Sequence, residues 1–468
     1  MYKLDFTLKQ HTPIIHFQHD QEGATLRASE VKPKLDRFLI TLFGKGNYEA
    51  GKTIAKNKGW LIGNNDHFAL DYKLKIIQDE VHTIDLKNPN YFGNIGLKPG
   101  DPKKEHRFGN TDLRGTFLFM GFFQPDNFFQ ENLITFFLLN NFGCRNGKGF
   151  GSFTLSSFNQ TLISVTDNIS HFKSIANDGL FRLRYKDYLS FNSIEPSDIF
   201  QIIDYYSKRL KTGINYTRHD RKNKLCTGEY KKSFLFNYIK TNTWEKRWLK
   251  EKFINLSPEV ASEKLEPKFT RALFGLTDKY SFMDKSKLKS CTCYQGSTKV
   301  AHPFKFEIKV HSDEIDRIPS PIIYKPLIIG DSTLIFLLIE NEYSAWDILD
   351  KAFKFKMQDL QFPLYIGKTN TRGEPKPDFI KQKEFDDFNR LIKIHTSYLK
   401  ENIRIKDQSN ELKEFFAYQV PGEEILRTPS RRIEIKSLIE QYHFSLGKSF
   451  NAFDFQNKRI ANVKIESI

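Results

Sequence analysis

Residues 141–153, Asn-Phe-Gly-Cys-Arg-Asn-Gly-Lys-Gly-Phe-Gly-Ser-Phe, constrain this chain more than any other stretch. Four glycines (Gly143, Gly147, Gly149 and Gly151) fall within nine residues, so neither a helix nor a strand interior is favoured there. Glycine lets a backbone turn through positive φ and approach a ligand closely. Consecutive N–H groups in such a loop can form a concave anion site, and Arg145 and Lys148 put positive charge beside it. Residues 127–140 before it are apolar and helix-length, with Leu133, Phe136 and Phe137, and residues 151–155 after it read as a strand. The expected unit is helix, basic glycine loop, strand. Gly143, Arg145, Asn146, Gly147, Lys148, Gly149 and Gly151 are its candidate phosphate contacts.

The charge balance points the same way. The chain carries 72 Lys and Arg against 56 Asp and Glu, a formal excess of +16, which attracts polyanions. Much of the excess sits in residues 208–252, where fourteen Lys or Arg face four acids (Asp220, Glu229, Glu245, Glu251). Tyr205, Tyr206, Tyr216, Tyr230, Trp244 and Trp248 interleave with them. Phosphate neutralisation with base stacking is one reading of this mixture. An aromatic core beneath a solvated lysine face is the other. On the first, Lys231, Lys232 and Arg247 are candidate contacts. Residues 197–253 read as largely helical.

Other function classes are disfavoured. Four cysteines are too few for a disulfide framework, and Cys291 and Cys293, spaced C-x-C, lack a second pair to complete a zinc set. Reduced thiols in a cytoplasmic protein follow. No apolar run approaches the ~18 residues of a membrane span, so no membrane partner is expected. No motif calls for a cofactor or a metal. With 468 residues, 44 of them Phe, several domains with aromatic cores are expected.

Taken in order, residues 2–8 alternate as a half-buried strand, and Thr12-Pro13 redirects the chain. A helix is expected from an N-cap at Ser29, with Pro33 in its first turn and Leu35, Phe38, Leu39 and Leu42 inward. Arg27, Lys32, Lys34 and Arg37 gather at its start, where helix N–H groups favour anions. Strands at 67–77 and 112–123 complete the order strand, helix, strand, strand, helix, strand, that of the ferredoxin-like fold shared by RNA-recognition domains. A second unit follows, with strands at 304–310 and 334–339, a short helix at 345–354, an amphipathic helix at 379–402 and a mixed tail. The expectation is an α+β protein of two ferredoxin-like (RRM-like) units, residues 1–165 and 263–468, joined by a basic helical segment over 166–262.

Two further patterns carry chemistry. Gly46 to Thr53 fits the P-loop spacing, which cradles nucleotide phosphates only between a buried strand, here 38–43, and a helix; residues 54–58 offer barely a turn and a half. His11, His16 and His19 near the first turn could supply an acid/base for RNA cleavage, or could be loop and core histidines.

An ordered set of motifs resembles a known family. Thr12-Pro13, then Leu26-Arg27-Ala28-Ser29-Glu30-Val31-Lys32, then the 143–151 loop resemble the RAMP superfamily of CRISPR-associated proteins. Gly213-Ile214-Asn215, Tyr230 to Ser233, Trp244 to Arg247, Leu273-Phe274-Gly275 and Arg317 to Pro321 are similar to the first-numbered Cmr subunits of type III-B effector complexes. Pro33-Lys34 stands where relatives often carry a glycine. The resemblance covers most of residues 1–340; residues 340–468 match nothing known from it. It implies two RAMP units that hold RNA without cutting it, at one end of a guide-RNA complex near the 3′ part of guide and target RNA. The implied partners are guide RNA, target RNA and other Cmr subunits. Arg27, Ser29, Lys32, the 143–151 loop, Lys231, Lys232, Arg317 and Lys325 are the RNA-facing positions it implies. A histidine-dependent RAMP endoribonuclease and a P-loop nucleotide-binding protein are the alternatives.

Overall fold

The computed structural model describes residues 2–15, 26–63, 69–78, 81–84, 106–109, 113–120, 127–175, 187–192, 196–220, 225–239, 245–246, 248–249, 268–275, 279–283, 305–315, 318, 320–339, 348–357, 399–406, 412–418, 424–430, 433–454 and 458–467. Strand β1 (Tyr2–Gln10) alternates as a half-buried strand must, with Leu4, Phe6 and Leu8 buried and Lys3, Asp5 and Lys9 exposed. Then come α1 (Ala28–Phe43), α2 (Tyr48–Asn57), β2 (Tyr72–Ile77), β3 (Leu113–Phe119), α3 (Asn127–Leu139), β4 (Phe153–Phe158), the short β5 (Thr161–Leu162) and α4 (Val165–Ile175). The strands form an antiparallel sheet in the order β2-β3-β1-β4-β5. Leu35 and Leu39 of α1 and Phe136 and Phe137 of α3 share one core with Phe6, Tyr72, Phe117 and Phe119 of the sheet.

Helix α1 begins one residue before the expected cap: Arg27 is the N-cap and Ser29 lies in the first turn. Pro33 therefore falls in the second turn, where it removes the N–H that would meet the carbonyl of Ser29. Packing holds the helix instead, through buried Val31, Leu35, Leu39 and Ile40. α3 is apolar on two sides, as a buried helix must be. Phe136 and Phe137 enter the first core, while Leu138 joins Phe172 of α4 in a cluster with Leu327, Phe336 and Leu338 from the second half of the chain.

The second sheet is built from β6 (Asp187–Asn192), β7 (Ile322–Ile329), β8 (Ser332–Ile339), β9 (Ser449–Phe453) and β10 (Arg459–Ser467), with helices α5 (Pro196–Ser207) and α6 (Ile435–Leu446). It is antiparallel in the order β7-β8-β6-β10-β9. Leaving aside β5 and β9, each sheet places its second, third, first and fourth strands side by side, and each follows the succession strand, helix, strand, strand, helix, strand. The repeat is one of topology. β6 and α5 come from the stretch read as a connecting segment, so the second sheet is interrupted between α5 and β7. That interruption carries a π-helical turn (Lys208–Thr212), a hairpin (Ile214–Asp220 with Leu225–Lys231) and a short helix (Phe234–Ile239). The hairpin replaces part of the helix expected over 197–253. Gly213, at φ 79°, ends the preceding turn, and the β-branched and aromatic residues after it favour strand.

A third antiparallel sheet orders Lys279–Met283, Lys305–His311, Ala352–Met357 and Glu424–Arg427. Ala352–Met357 takes the end of the helix expected at 345–354, because Phe353 and Phe355 face inward and Lys356 outward, a period of two. The helix expected over 379–402 lies outside the described residues apart from its end, which begins a strand (Leu399–Lys406). The whole is an α+β protein with antiparallel sheets. Among the described residues no helix is long and apolar enough to cross a membrane.

Two buried histidines tie together segments far apart in the chain, His11 across the two halves and His443 within the second. His11 Nδ1 accepts from the N–H of Ile328 (3.0 Å), so its proton sits on Nε2, which contacts Thr154 Oγ1 (2.8 Å). His443 links Asp187 (Nδ1 to Oδ2, 3.0 Å) to Tyr206 (Nε2 to hydroxyl, 2.8 Å). Burial, helped by Lys325 and Lys9, holds the His11 imidazole well below its usual range. Burial also depresses His443, against the opposing pull of Asp187. Both are neutral when folded and gain protons near pH ~6.5 when unfolded. Their contribution is therefore complete above that pH and is lost as pH falls through it, at up to ~1.4 kcal/mol per pH unit for each. Melting temperatures measured from pH 7.5 to 5.5 should fall on the acid side, and the His11→Gln/His443→Gln variant should show a flatter dependence.

Candidate nucleic-acid interface

The glycine loop starts where α3 ends, and a helix C-terminus leaves carbonyls to be satisfied. Asn140 Nδ2 donates to the carbonyl of Phe136 (2.8 Å). The Lys325 ammonium, fully buried on β7, donates to the carbonyls of Phe137 (2.7 Å), Asn140 (2.9 Å) and Phe153 (2.9 Å). Lys34 Nζ donates to the carbonyl of Asn141 (3.2 Å) and lies 4.8 Å from the Phe142 ring centre. Burial pushes Lys325 well below the usual lysine range; three acceptors and the negative end of the helix dipole pull the other way.

The Thr-Pro turn is the floor of the loop. Thr12 Oγ1 donates to the carbonyl of Gly149 (2.6 Å) and accepts from the N–H of Ser152 (2.9 Å). The carbonyls of Pro13 and Ile15 accept from Gly151 and Cys144 (2.8 Å each), and the Glu30 carboxylate of α1 accepts from the N–H of Gly143. With Phe142, Gly147, Lys148 and Gly149 also donating within the protein, the loop is a braced structure and not the open N–H nest its sequence suggests. Its wall is the second unit. Asn141 Nδ2 donates to the carbonyl of Tyr324 (2.8 Å), Ser152 Oγ to that of Pro326 (2.6 Å), and Phe150 stacks on Phe200 of α5 with ring centres 3.8 Å apart.

What faces outward is charge. Asn146 and Lys148 are exposed, Gly147 and Arg145 half-buried, and Arg145 holds a left-handed φ of 58°. The Lys148 ammonium reaches Ser207 Oγ (2.9 Å) and lies 5.6 Å from the Tyr324 ring centre. Asp204 of α5 pairs with Lys208 (2.5 Å) and draws on Arg145 and Lys148. Lys211 donates to the carbonyls of Phe274 (3.0 Å) and Gly275 (2.8 Å). Burial, then the nearby charges of Lys148 and Arg271, push its pKa down to about 7. Partial burial lowers Arg145; Lys148, exposed along its stem, is lowered by the desolvation of its ammonium beside Ser207 and the Tyr324 ring, and Arg145 and Lys208 depress it further. Arg145, Lys148 and Lys208, gathered around the Asp204 carboxylate, raise the cost of one another's charge, and an anion placed among them relieves it.

The sequence-derived candidates thus separate. Arg145, Asn146, Gly147 and Lys148 form the exposed crest. Gly143, Gly149 and Gly151 shape it from within. Lys32 is committed to Asp36 (2.8 Å) and the carbonyl of Leu70 (3.0 Å), and Lys34 to the underside of the loop. Ser29 and Arg37 are exposed on α1, Arg27 is half-buried, and Arg37 lies 5.8 Å from the Tyr48 ring centre. Lys231 and Lys232 are exposed, and the helix after them packs on the Lys208–Thr212 turn. Arg247 and Arg317 lie outside the described residues. Lys325 departs from the RNA-facing role expected of it, because its donors meet carbonyls in the interior. Lys208 and Asp204 join the crest although no spacing in the sequence connects them to it, and Lys211 lies beneath it, its ammonium bonded to the Phe274 and Gly275 carbonyls.

The P-loop pattern does not make a P-loop. Residues 38–43 belong to α1, Asn47 caps α2 through Ala50 N–H (3.0 Å), and Gly51, Lys52 and Thr53 lie inside α2, where Thr53 Oγ1 donates to the carbonyl of Glu49 (3.0 Å). No strand leads into the string. His11 is buried and bonded at both nitrogens; His16 and His19 lie outside the described residues.

The model of the Cmr1 N-terminal domain family matches residues 1–214, and that of the Cmr1 C-terminal domain matches residues 230–420. The second match extends into the stretch after residue 340. Among the solved structures that align are two of low similarity. Cmr1 from Pyrococcus furiosus in its apo form is 12% identical, with 73% of this chain and 89% of that chain covered and a TM-score of 0.35. A chain of the type III-B Cmr-beta complex bound to cognate target RNA and AMPPnP is 10% identical, with 73% and 95% covered and a TM-score of 0.34. No curated protein matches.

Two outcomes check the reading of the loop. A Cβ at Gly151 (φ +64°) would lie 2.0 Å from the carbonyl oxygen of Phe142, whereas one at Gly147 meets nothing within 4 Å. Gly151→Ala should lose more than about 2 kcal/mol of stability, with Gly147→Ala within ~0.5 kcal/mol of the parent, by urea unfolding. Lys325→Met keeps the stem and removes the donors, leaving three buried carbonyls, and should cost about 3 kcal/mol or more in the same assay.

Proposed function

The chain belongs to the Cmr1 family of type III-B CRISPR subunits, and on that premise we propose that it is an RNA-holding end subunit of such a complex, without catalysis of its own. The observation that carries this is the braced loop with an outward cationic crest, Arg145 to Lys148, flanked by Lys208. A rigid backbone displaying cations fits repeated phosphates and needs no base contact. We read both units as ferredoxin-like RAMP modules, supported by the strand order they share. The first is residues 1–165. The second, over 263–468, draws β6 and α5 from the 166–262 stretch that joins them. The proposed partners are guide RNA near its 3′ part, target RNA and other Cmr subunits. Arg27, Ser29, Arg37, Lys231, Lys232, Arg247 and Arg317 are proposed as further contacts along the strand. The commitment of His11 to Thr154 and Ile328 favours holding over cutting.

The test is binding of a single-stranded RNA as a function of salt. Arg145→Ala/Lys148→Ala should weaken binding about tenfold or more at moderate salt and reduce the slope of log K against log salt by ~1.4, two phosphate contacts at ~0.7 each. Wild-type affinity and slope in that variant would remove the crest from the RNA path.

A further inference from the structure

Among the described residues, α1 and α3 pack on one face of the first sheet. The residues of its other face follow from parity: Lys3, Asp5, Thr7 and Lys9 on β1, Lys73, Lys75 and Ile77 on β2, Arg114, Thr116 and Leu118 on β3. The register aligns them in rows across three strands: Lys73, Leu118 and Lys3; Lys75, Thr116 and Asp5; Ile77, Arg114 and Thr7. Lys3, Asp5, Lys9, Lys73, Lys75, Ile77 and Arg114 are exposed, and Thr7, Thr116 and Leu118 half-buried. Five cations thus share a face with one carboxylate among the described residues of these strands. That carboxylate is already engaged, by Lys3 (2.8 Å) and by the hydroxyl of Thr116 (2.8 Å), and the Lys3 contact holds it below the usual range. Thr7 Oγ1 adds hydroxyl contacts to Ser156 (2.8 Å) and Ser157 (2.6 Å) of β4.

We propose that this face is a second nucleic-acid surface, one that takes the phosphodiester backbone of a single strand and reads no bases. It goes beyond the crest, which is built from the other end of α3 and from the second unit. Charge complementarity chooses the occupant. Lys73 and Lys75, at alternate positions of β2, stand ~6.8 Å apart, and Lys73 and Lys3, at the two ends of one row with Leu118 between them, ~9.6 Å, spacings that a flexible single strand can follow with its phosphates. The parity positions hold no aromatic ring, so base stacking, the usual device of sequence-tolerant sheets, is missing here. A protein interface needs an apolar or aromatic centre, and Leu118 and Ile77, in different rows, do not make one. Lys73, Lys75 and Arg114 stand exposed on the two strands, β2 and β3, that carry no carboxylate at these positions.

The experiment compares three full-length proteins: wild type, the face variant Lys73→Gln/Lys75→Gln/Arg114→Gln, and the crest variant Arg145→Ala/Lys148→Ala. Each is titrated with a 30-nucleotide oligouridine and with oligothymidine of the same length across a salt series, after matched melting temperatures confirm folding. The face variant should lose about tenfold or more in affinity for both strands, with the salt slope reduced by ~2, three contacts at ~0.7. Arg and Lys exchanged at the same positions (Lys73→Arg/Lys75→Arg/Arg114→Lys) should restore both. If the crest variant loses binding while the face variant keeps wild-type affinity and slope, the second surface is overturned and the crest stands. Loss in the face variant alone supports the surface and removes the crest. Failure of wild type to bind either strand overturns both. Unchanged nucleic-acid binding together with lost binding of polyglutamate would also overturn it, and would assign the face to an acidic protein.

Discussion

The buried ammonium of Lys325, donating to three carbonyls around the end of α3, is the contact on which the rest of the architecture turns. It lets a helix end inside the protein, where unsatisfied carbonyls would otherwise oppose burial. It comes from β7, the edge strand of the other sheet. An exposed edge is a liability, and here side chains of the first unit close it. Asn141 and Ser152 donate to the carbonyls of Tyr324 and Pro326, and His11 accepts from Ile328 N–H. Pro326, which has no N–H to offer, belongs at such an edge. The two units are therefore joined by backbone groups that each leaves unpaired, met by polar side chains of the other.

This changes the meaning of the glycine loop. Gly149 and Gly151 are required because second-unit side chains and the loop's own backbone come too close for a Cβ, with Ile203 and Pro326 at 2.8 and 2.9 Å in the first case and Phe142 in the second. Those glycines serve the joint. Gly147 is different, since nothing crowds it, and it sits between the two cations that face outward. One string of residues thus does two jobs, and only its crest is available to a ligand. The stiffness of the crest is a consequence of the joint beneath it, which limits the conformational entropy lost when a strand of phosphates is gripped.

Much of the first unit was legible in the sequence, because its signals are local: the alternation of β1, the length of α3, the glycines after it and the strand that follows. The Thr12-Pro13 turn was legible as a redirection but not as the floor of the loop, which needs Gly149 and Ser152, more than a hundred residues away in sequence. Lysine direction was the least legible feature. Lys148 and Lys325 look alike as cations near a motif, yet one lies on the surface and the other inside. The difference is set by which carbonyls a helix leaves over, and spacing carries no trace of that. β6 escaped notice for a related reason: its partners are β8 and β10, the latter ending at Ser467 opposite Asp187. A strand paired that far along the chain leaves little local signature. The mixed tail holds α6 and β9 and ends in β10, a strand beside the centre of the second sheet.

The outward charge is assembled from two separate parts of the chain, Arg145 and Lys148 from the loop and Asp204 and Lys208 at the end of α5, over a third, the Phe274 and Gly275 carbonyls that hold Lys211 beneath them. None of the three is complete alone. The loop needs β7 as its wall, and β7 needs β8 and β6 to be a strand at all. The crest therefore forms only after long-range pairing in the second sheet, a slow class of contact because loop closure must precede it. Any grip on RNA that depends on Arg145 and Lys148 thus reports on the docked state of both units, while attraction through the first sheet does not.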